Sequence, residues 1–323
     1  MTDAATIALG CDLGATNLRV AAVQPDGTVL SSIRRKLDDR APGVVADELA
    51  DGAREVLRIV GASPESVRAI GIGVAGQVLG HSGLVLVGPN LGWRDVRFGR
   101  LVEERLSRHV RVVNDLSAAA WGEASVGAAQ GATDVLLVFA GSGVGGGMIL
   151  DGKLYEGPGG LAGEIGHVKV VMNGRPCGCG QDGCLEAYAG GHNIALRIRE
   201  LAAQGKAKAI VEAAGGSEER LGGAALEIAA EAGDPEANAI REEIAAYLGI
   251  SIANAVTLLN PQRLILGGGV LMGMAGLKAS VRAWITRAGG CEQVSRMSIH
   301  DPSLGDDAGV IGAALLALGG APS

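Results

Sequence analysis

A chain of 323 residues has room for two domains, and 48% hydrophobic against 20% charged residues excludes wholesale disorder. The formal charge of −7 leaves no basic footprint and argues against nucleic acid as a partner. With 53 glycines and only 2% aromatics, the core has to be filled by Ala, Val, Leu and Ile, and many turns should need a positive φ.

The start, Met1 to Ala8, lacks a basic region followed by an apolar run and a small-residue cleavage site. No uninterrupted apolar stretch of about 18 residues occurs elsewhere. The expectation is a cytoplasmic protein that does not engage a membrane. Arg34-Arg35-Lys36 reads as a solvated strand end rather than a binding patch.

Residues Ile7 to Cys11 predict a short apolar strand, Gly14 to Asn17 a turn and Leu18 to Val23 a second strand; Pro25-Asp26-Gly27 then turns into a third, Thr28 to Ile33. Helical patterns follow at Val44 to Val60, Arg100 to Arg108 and Ser117 to Val126, interleaved with strands at Val67 to Val74 and Val110 to Val113. The opening pattern then recurs: Val135 to Ala140, a Gly141-Ser142-Gly143 turn, Gly147 to Leu150, an Asp151-Gly152 turn, and Lys153 to Tyr155. The chain thus looks internally duplicated in architecture. A long helix from Pro235 to Leu259, a buried-type strand from Arg263 to Leu266 and a final helix from Ala308 to Leu318 complete it, with Pro235 suited to a first helical turn and Pro261 to a helix's end. Alternating strands and helices predict an α/β protein with a helix-covered sheet in each of two lobes, divided by a compact crossover near Asn114.

Two segments match G-x-G-x-x-G, Gly71 to Gly76 and Gly141 to Gly146. Both lead into extended sequence instead of opening a helix, so a dinucleotide site is rejected, and a Walker-type phosphate loop is absent from the sequence. The turn Asp12-Leu13-Gly14-Ala15-Thr16-Asn17 offers another phosphate site: its backbone N–H groups and the Thr16 and Asn17 side chains can be aimed at one anion. Asp12 beside phosphate oxygens implies a Mg²⁺ held directly or through water. An ordinary Asn/Gly hairpin is the alternative. The second turn, Gly141-Ser142-Gly143, favours the phosphate reading, since two such turns can grip one nucleotide, and Gly267-Gly268-Gly269 would let a backbone approach the adenosine.

Asp115 follows the Val110 to Val113 strand, where it is placed to take a proton from an attacking hydroxyl or, alternatively, to cap the next helix. The chain has five cysteines, an odd number that does not suit a disulfide framework. Three of them, Cys177, Cys179 and Cys184, follow His167 at a spacing that suits a closed, tetrahedral structural Zn²⁺ site. An iron–sulfur cluster would need a fourth cysteine, and Cys11 and Cys291 are remote in sequence. Glu164 and Glu186 flank these ligands, either as surface glutamates or as stiffly held acceptors for a polyol.

Together, DLGATNLRV (12–20), PNLGW (89–93), NDLSAAAWGE (114–123), GSGVGGG (141–147), GEIGH (163–167), CGCGQDGCLEAY (177–188) and LGGGV (266–270) resemble the ROK family of bacterial sugar kinases and sugar-responsive repressors, nearly end to end. The resemblance implies an actin-like (ribonuclease H-like) ATPase fold, with ATP and a hexose in a cleft between two lobes, 1–113 plus 308–323 and 114–307. It implies Asp115 as the base acting on the 6-hydroxyl of D-glucose, and Asn90, Asn114, Asp115, Glu164, His167 and Glu186 as residues that hold the sugar. ATP would be held by Asp12, Gly14, Ala15, Thr16, Asn17, Gly141, Ser142, Gly143 and Gly267 to Gly269. His167 would bind zinc through one ring nitrogen and a sugar hydroxyl through the other. N-acetylmannosamine, N-acetylglucosamine or fructose are alternative substrates, and a homodimer or higher homo-oligomer is expected. A repressor would need a helix-turn-helix ahead of the first lobe, for which the position of Asp12 leaves no room. The sequence departs from the family pattern at Ala15, where a glycine is usual and a methyl requires a negative φ, and at Ala75 and Gln77, where many members have prolines.

Overall fold

The computed structural model describes residues 6–319. In chain order its strands and helices are β1 (Ile7–Leu13), β2 (Asn17–Val23), β3 (Val29–Lys36), α1 (Pro42–Ile59), β4 (Val67–Val74), β5 (Gln77–Leu79), β6 (Leu84–Gly88), β7 (Trp93–Val96), α2 (Phe98–Leu106), β8 (Arg111–Asn114), α3 (Asp115–Val126), β9 (Val135–Ala140), β10 (Val144–Leu150), β11 (Lys153–Leu154), α4 (Glu186–Ala189), α5 (Gly191–Ala203), α6 (Lys208–Ala213), α7 (Gly223–Glu231), α8 (Pro235–Leu259), β12 (Arg263–Gly267), α9 (Gly269–Gly273), α10 (Ala275–Ala288), α11 (Cys291–Arg296), β13 (Ser298–His300) and α12 (Ala308–Leu318). Two five-stranded sheets share one plan, β3-β2-β1-β4-β8 and β11-β10-β9-β12-β13, and a small third sheet is β5-β6-β7. Each large sheet therefore places an antiparallel meander on one side and its later strands on the other, the architectural repeat expected from the recurring hairpins.

Two compact units divide the chain: one holds residues 6–135, 147–163 and 302–319, the other 136–146 and 164–301. The lobe boundary expected at 113/114 falls inside the first unit, within β8.

In the first unit, β1 runs antiparallel to β2 and parallel to β4, and β4 is parallel to β8. One side packs α1, whose Val45, Leu49 and Val56 form a buried stripe at helical spacing. α12 packs on β1, β4 and α3 and buries residues all round its surface. That contact is backbone against backbone: a Cβ on Gly71 would lie 1.9 Å from the Ala313 carbonyl oxygen, and one on Gly312 1.7 Å from that of Ala118. Glycine here supplies proximity where a larger side chain would hold the layers apart. The first G-x-G-x-x-G match is thus a packing feature of β4. Ala-, Val- and Leu-rich layers with few aromatics close well on this pattern.

The second unit is built around α8. Asp234 caps it, accepting from Ala237 N at 2.8 Å; Pro235 occupies its first turn; and Asn260, at φ 48°, ends it in a left-handed conformation. Among the described residues α8 is the one helix long and apolar enough to cross a membrane. Its Ile240, Ile244, Leu248, Ile252 and Val256 are buried at successive turns, and it packs against α7 and α10, the arrangement of a core helix.

Candidate functional site

In the first unit the expected site residues gather at the C-terminal ends of parallel strands, where α/β sheets characteristically bind ligands. Leu13 pairs with Val74 and Val74 with Asn114, so the hairpin after β1, the Ala75-Gly76 turn and the Asn114-Asp115 junction share one sheet edge. The hairpin is closed by Gly14 N donating to the Asn17 carbonyl at 3.0 Å, and Leu37 N fastens it by donating to the Thr16 carbonyl at 2.8 Å. Thr16 and Asn17 are exposed. Ala15 is absent from the described residues with positive φ, so its methyl fits where the family pattern has glycine.

Asp12 is half-buried at the base of this hairpin, with Gly309 of α12 against it: a Cβ there would lie 3.1 Å from the Asp12 carboxyl carbon. Burial raises the Asp12 pKa above its ordinary value; Arg19 and Arg34 oppose the shift and Asp306 adds to it. Arg19 is itself bound to Asp307 at 2.5 Å and to the Asp306 carbonyl. Strand register brings both arginines to Asp12, including Arg34, expected only at a solvated strand end: Arg19 on β2 stands opposite Asp12 on β1 and opposite Arg34 on β3.

The cap of α3 is Asn114. Its Oδ1 accepts from Leu116 N at 2.9 Å and Ser117 N at 3.1 Å, while its Nδ2 donates to the Gly76 carbonyl at 3.1 Å. This overturns the alternative that Asp115 caps the helix. Asp115 is the first helical residue, half-buried, and shares Leu116 N through one carboxylate oxygen at 2.9 Å. Asn90 lies on the turn Pro89–Leu91 and is exposed; its carbonyl accepts from Arg40 at 3.1 Å. Among the described residues no direct hydrogen bond ties the Asn90 side chain to Asn114.

The second unit brings the remaining expected residues together. The turn after β9 is closed by Gly141 N on the Gly143 carbonyl at 2.8 Å, and it carries the start of α5 through Gly191 N on the Gly141 carbonyl at 2.8 Å. Glu186 reaches this turn: its Oε2 accepts from Val144 N at 2.9 Å, and a Cβ on Gly143 would lie 2.3 Å from that oxygen. The turn after β12 adjoins it. Gly268, at φ 87°, presses on the Ala140 backbone, where a Cβ would lie 2.5 Å from the carbonyl oxygen, whereas a Cβ on Gly269 would meet nothing within 4 Å. The close approach expected of the Gly267–Gly269 run is therefore made first to β9.

Ligand atoms of His167, Cys177, Cys179 and Cys184 all lie within 4.8 Å of one another. Cys179 Sγ is 3.7 Å from Cys184 Sγ, and Cys177 Sγ is 3.8 Å from His167 Nδ1. Zinc–sulfur bonds of about 2.3 Å set tetrahedral ligands about 3.8 Å apart, so the donor set and its spacing fit that ion. Gly180 at φ 84° and Gly183 at φ 73° fold the loop between the cysteines. Burial, reinforced by the neighbouring thiols against the Cys179 N–H, pushes the Cys177 thiol up to about 12. Such a thiol would not ionise near neutral pH without a cation among the sulfurs. With Nδ1 facing the cysteines, His167 turns Nε2 toward Glu164, 3.7 Å from its Oε2. Burial likewise raises the Glu164 carboxyl; His167 opposes this and Glu186 adds to it. Glu186 Oε1 lies 4.0 Å from Cys177 Sγ, which joins the cluster to the glycine turn.

The model of the ROK family matches residues 8–319. The glucokinase of Streptomyces coelicolor is 32% identical over 320 residues, covering 96% of this chain and 97% of that protein. Among solved structures, a ROK family glucokinase from Streptomyces griseus in complex with glucose and AMPPNP is 34% identical, with a TM-score of 0.81 over 97% of this chain and 100% of that one. A ROK family transcriptional regulator is 26% identical with a TM-score of 0.82, covering 97% of this chain and 78% of the other. Sheet plan, sequence motifs and these likenesses agree on one actin-like α/β fold, and the chain belongs to the ROK family.

Proposed function

We propose that the chain is a sugar kinase that transfers the γ-phosphate of Mg·ATP to the 6-hydroxyl of D-glucose. The observation that carries this reading is the division of labour at the end of β8, where Asn114 caps α3 and leaves Asp115 at the sheet edge that also bears the first glycine hairpin. The likeness to a glucokinase crystallised with glucose and AMPPNP supports the choice of substrates. Asp115 accepts the 6-hydroxyl proton as the new O–P bond forms and ADP leaves in line. Asn90, Asn114, Glu164, His167 and Glu186 orient the sugar. The turns 14–17 and 141–143, closed by the Gly14 and Gly141 N–H groups, hold phosphates through their other polar groups, and Gly267 to Gly269 receive the adenosine. Mg²⁺ bound with ATP would neutralise phosphate charge and draw Asp12, raised by burial, back to its carboxylate form. A structural zinc on His167, Cys177, Cys179 and Cys184 braces Glu164 and Glu186. The enzyme works in the cytoplasm as a homo-oligomer.

ADP release measured across glucose, N-acetylmannosamine, N-acetylglucosamine and fructose tests the reading, with the highest kcat/KM expected for glucose. A different preferred hexose would move the substrate and keep the chemistry; no turnover with any sugar would end the kinase reading. The likeness to a transcriptional regulator favours a second reading, a sugar sensor without catalysis. Calorimetric sugar binding without ADP release would select it.

A further inference from the structure

Of the sulfurs in the His/Cys cluster, two feel a neighbouring backbone N–H. The Cys179 N–H acts to lower the Cys177 thiol against its burial, and the Gln181 N–H acts to lower the Cys179 thiol. Cys184 is served differently. Lys169 and Cys184 form an antiparallel bridge, flanked by Val170 N on the Gly183 carbonyl at 2.9 Å and Leu185 N on the Val168 carbonyl at 2.9 Å. Residues directly opposed in such a pair present their side chains on the same face. The register therefore puts a lysine over a cysteine, and Lys169 Nζ donates to Cys184 Sγ at 3.0 Å. Cys184 is fully buried, while Lys169 is exposed.

The charge at this place needs such a group. A divalent cation held by three thiolates and a neutral imidazole leaves one net negative charge, and the surroundings add more. Glu164 Oε2 stands 3.7 Å from His167 Nε2, and Glu186 Oε1 stands 4.0 Å from Cys177 Sγ. Arg175, two residues before Cys177, is committed to Glu200 by paired bonds of 2.9 and 2.8 Å. We propose that Lys169 is a positioning and charge-compensating partner of the His167–Cys177–Cys179–Cys184 zinc site, holding the Cys184 thiolate by a charge-assisted hydrogen bond and offsetting the one net negative charge of the ion and its four ligands. This rests on the zinc reading given above.

Lys169→Met keeps the stem and removes the charge; Lys169→Arg keeps the charge. In the full-length protein, zinc transfer to a chromophoric chelator should run on the order of tenfold faster for Lys169→Met at low salt, the lower end of what outer partners of a metal site contribute. Lys169→Arg should stay within about threefold of the parent, because a guanidinium can donate the same charged bond. Because the ammonium is exposed, raising the salt from about 0.01 to about 1 M should speed release from the parent toward the Lys169→Met rate and leave Lys169→Met little changed. Circular dichroism is expected to coincide for all three proteins. Equal release by the parent and Lys169→Met would overturn the proposal, and so would an Arg variant as fast as the Met variant, which would assign the effect to packing. Metal analysis of the parent separates the two levels: a zinc-free folded parent sinks the zinc reading and this inference together, whereas one zinc per chain with equal release sinks only the role of Lys169.

Discussion

Asn114 and Asp115 are neighbours with similar side chains and opposite duties. Asn114 spends its carbonyl oxygen on two helix N–H groups and one amide hydrogen on Gly76, so its role at a sugar is limited to the second amide hydrogen. Asp115, relieved of the cap, is the group expected to take the proton. Asp115→Asn should keep sugar affinity by calorimetry and lose about two or more orders of magnitude in kcat, because general-base catalysis contributes roughly that much. Near-normal turnover would remove Asp115 from that role. Which neighbour caps was not legible in the sequence, since both residue types cap well and the choice is made by backbone geometry at the strand end. The clustering of His167 with Cys177, Cys179 and Cys184 was legible, because these are rare residue types at a spacing few other structures need. Lys169 was not; a lysine near a histidine means nothing until strand pairing sets it opposite Cys184.

Elements with strong periodicity or proline punctuation could be read to the residue. β4, β9, α8 and α12 stand where the apolar pattern placed them. The β5-β6-β7 sheet went unread because its strands, three to five residues long, alternate too briefly between Gly and Pro turns to show a period. α5 hides for a similar reason, burying only Ile194 and Ile198. Long-range polar ties are equally invisible, and Glu123 of α3 is the strongest. It is fully buried, and its carboxylate accepts from Ala128 N at 2.7 Å, Ser303 N and Leu304 N at 2.9 Å each, and the Ser303 hydroxyl at 3.1 Å. Residues 302–304 are where the chain returns to the first unit, so one side chain fixes that re-entry. Glu123→Gln turns an amide NH₂ toward these donors and should cost on the order of 3 kcal/mol, the scale of a charged acceptor lost in a buried network. Urea denaturation measures it, and a change below about 0.5 kcal/mol, the size of a surface substitution, would show that the donors find water instead.

At the scale of the whole chain, the glycine content that looked like loop composition proves partly architectural. The first unit is assembled from three separate stretches of sequence, and its last piece, α12, touches strands that are nearly the whole chain away. Such non-local contacts incur loop-closure entropy before they return stabilisation, so they have to be intimate to hold. Gly71 under Ala313 and Gly312 under Ala118 make them so, at separations that exclude even a methyl group. Gly312→Ala adds only one carbon to a helix and improves helix propensity by about 1 kcal/mol, so propensity alone predicts stabilisation. Packing predicts the reverse: the added Cβ lies 1.7 Å from the Ala118 carbonyl oxygen, which is backbone and cannot swing aside, so α12 has to lift from α3. Overpacking of this kind costs about 1–3 kcal/mol or more, and because the clash falls where α12 also covers β1 and β4, the larger value is expected. A lower urea midpoint for Gly312→Ala, beside an unchanged or higher midpoint for the exposed helical control Gly273→Ala, where an added Cβ would meet nothing within 4 Å, would assign the effect to helix contact. A higher midpoint would mean that α12 is seated less tightly than the glycine spacing requires.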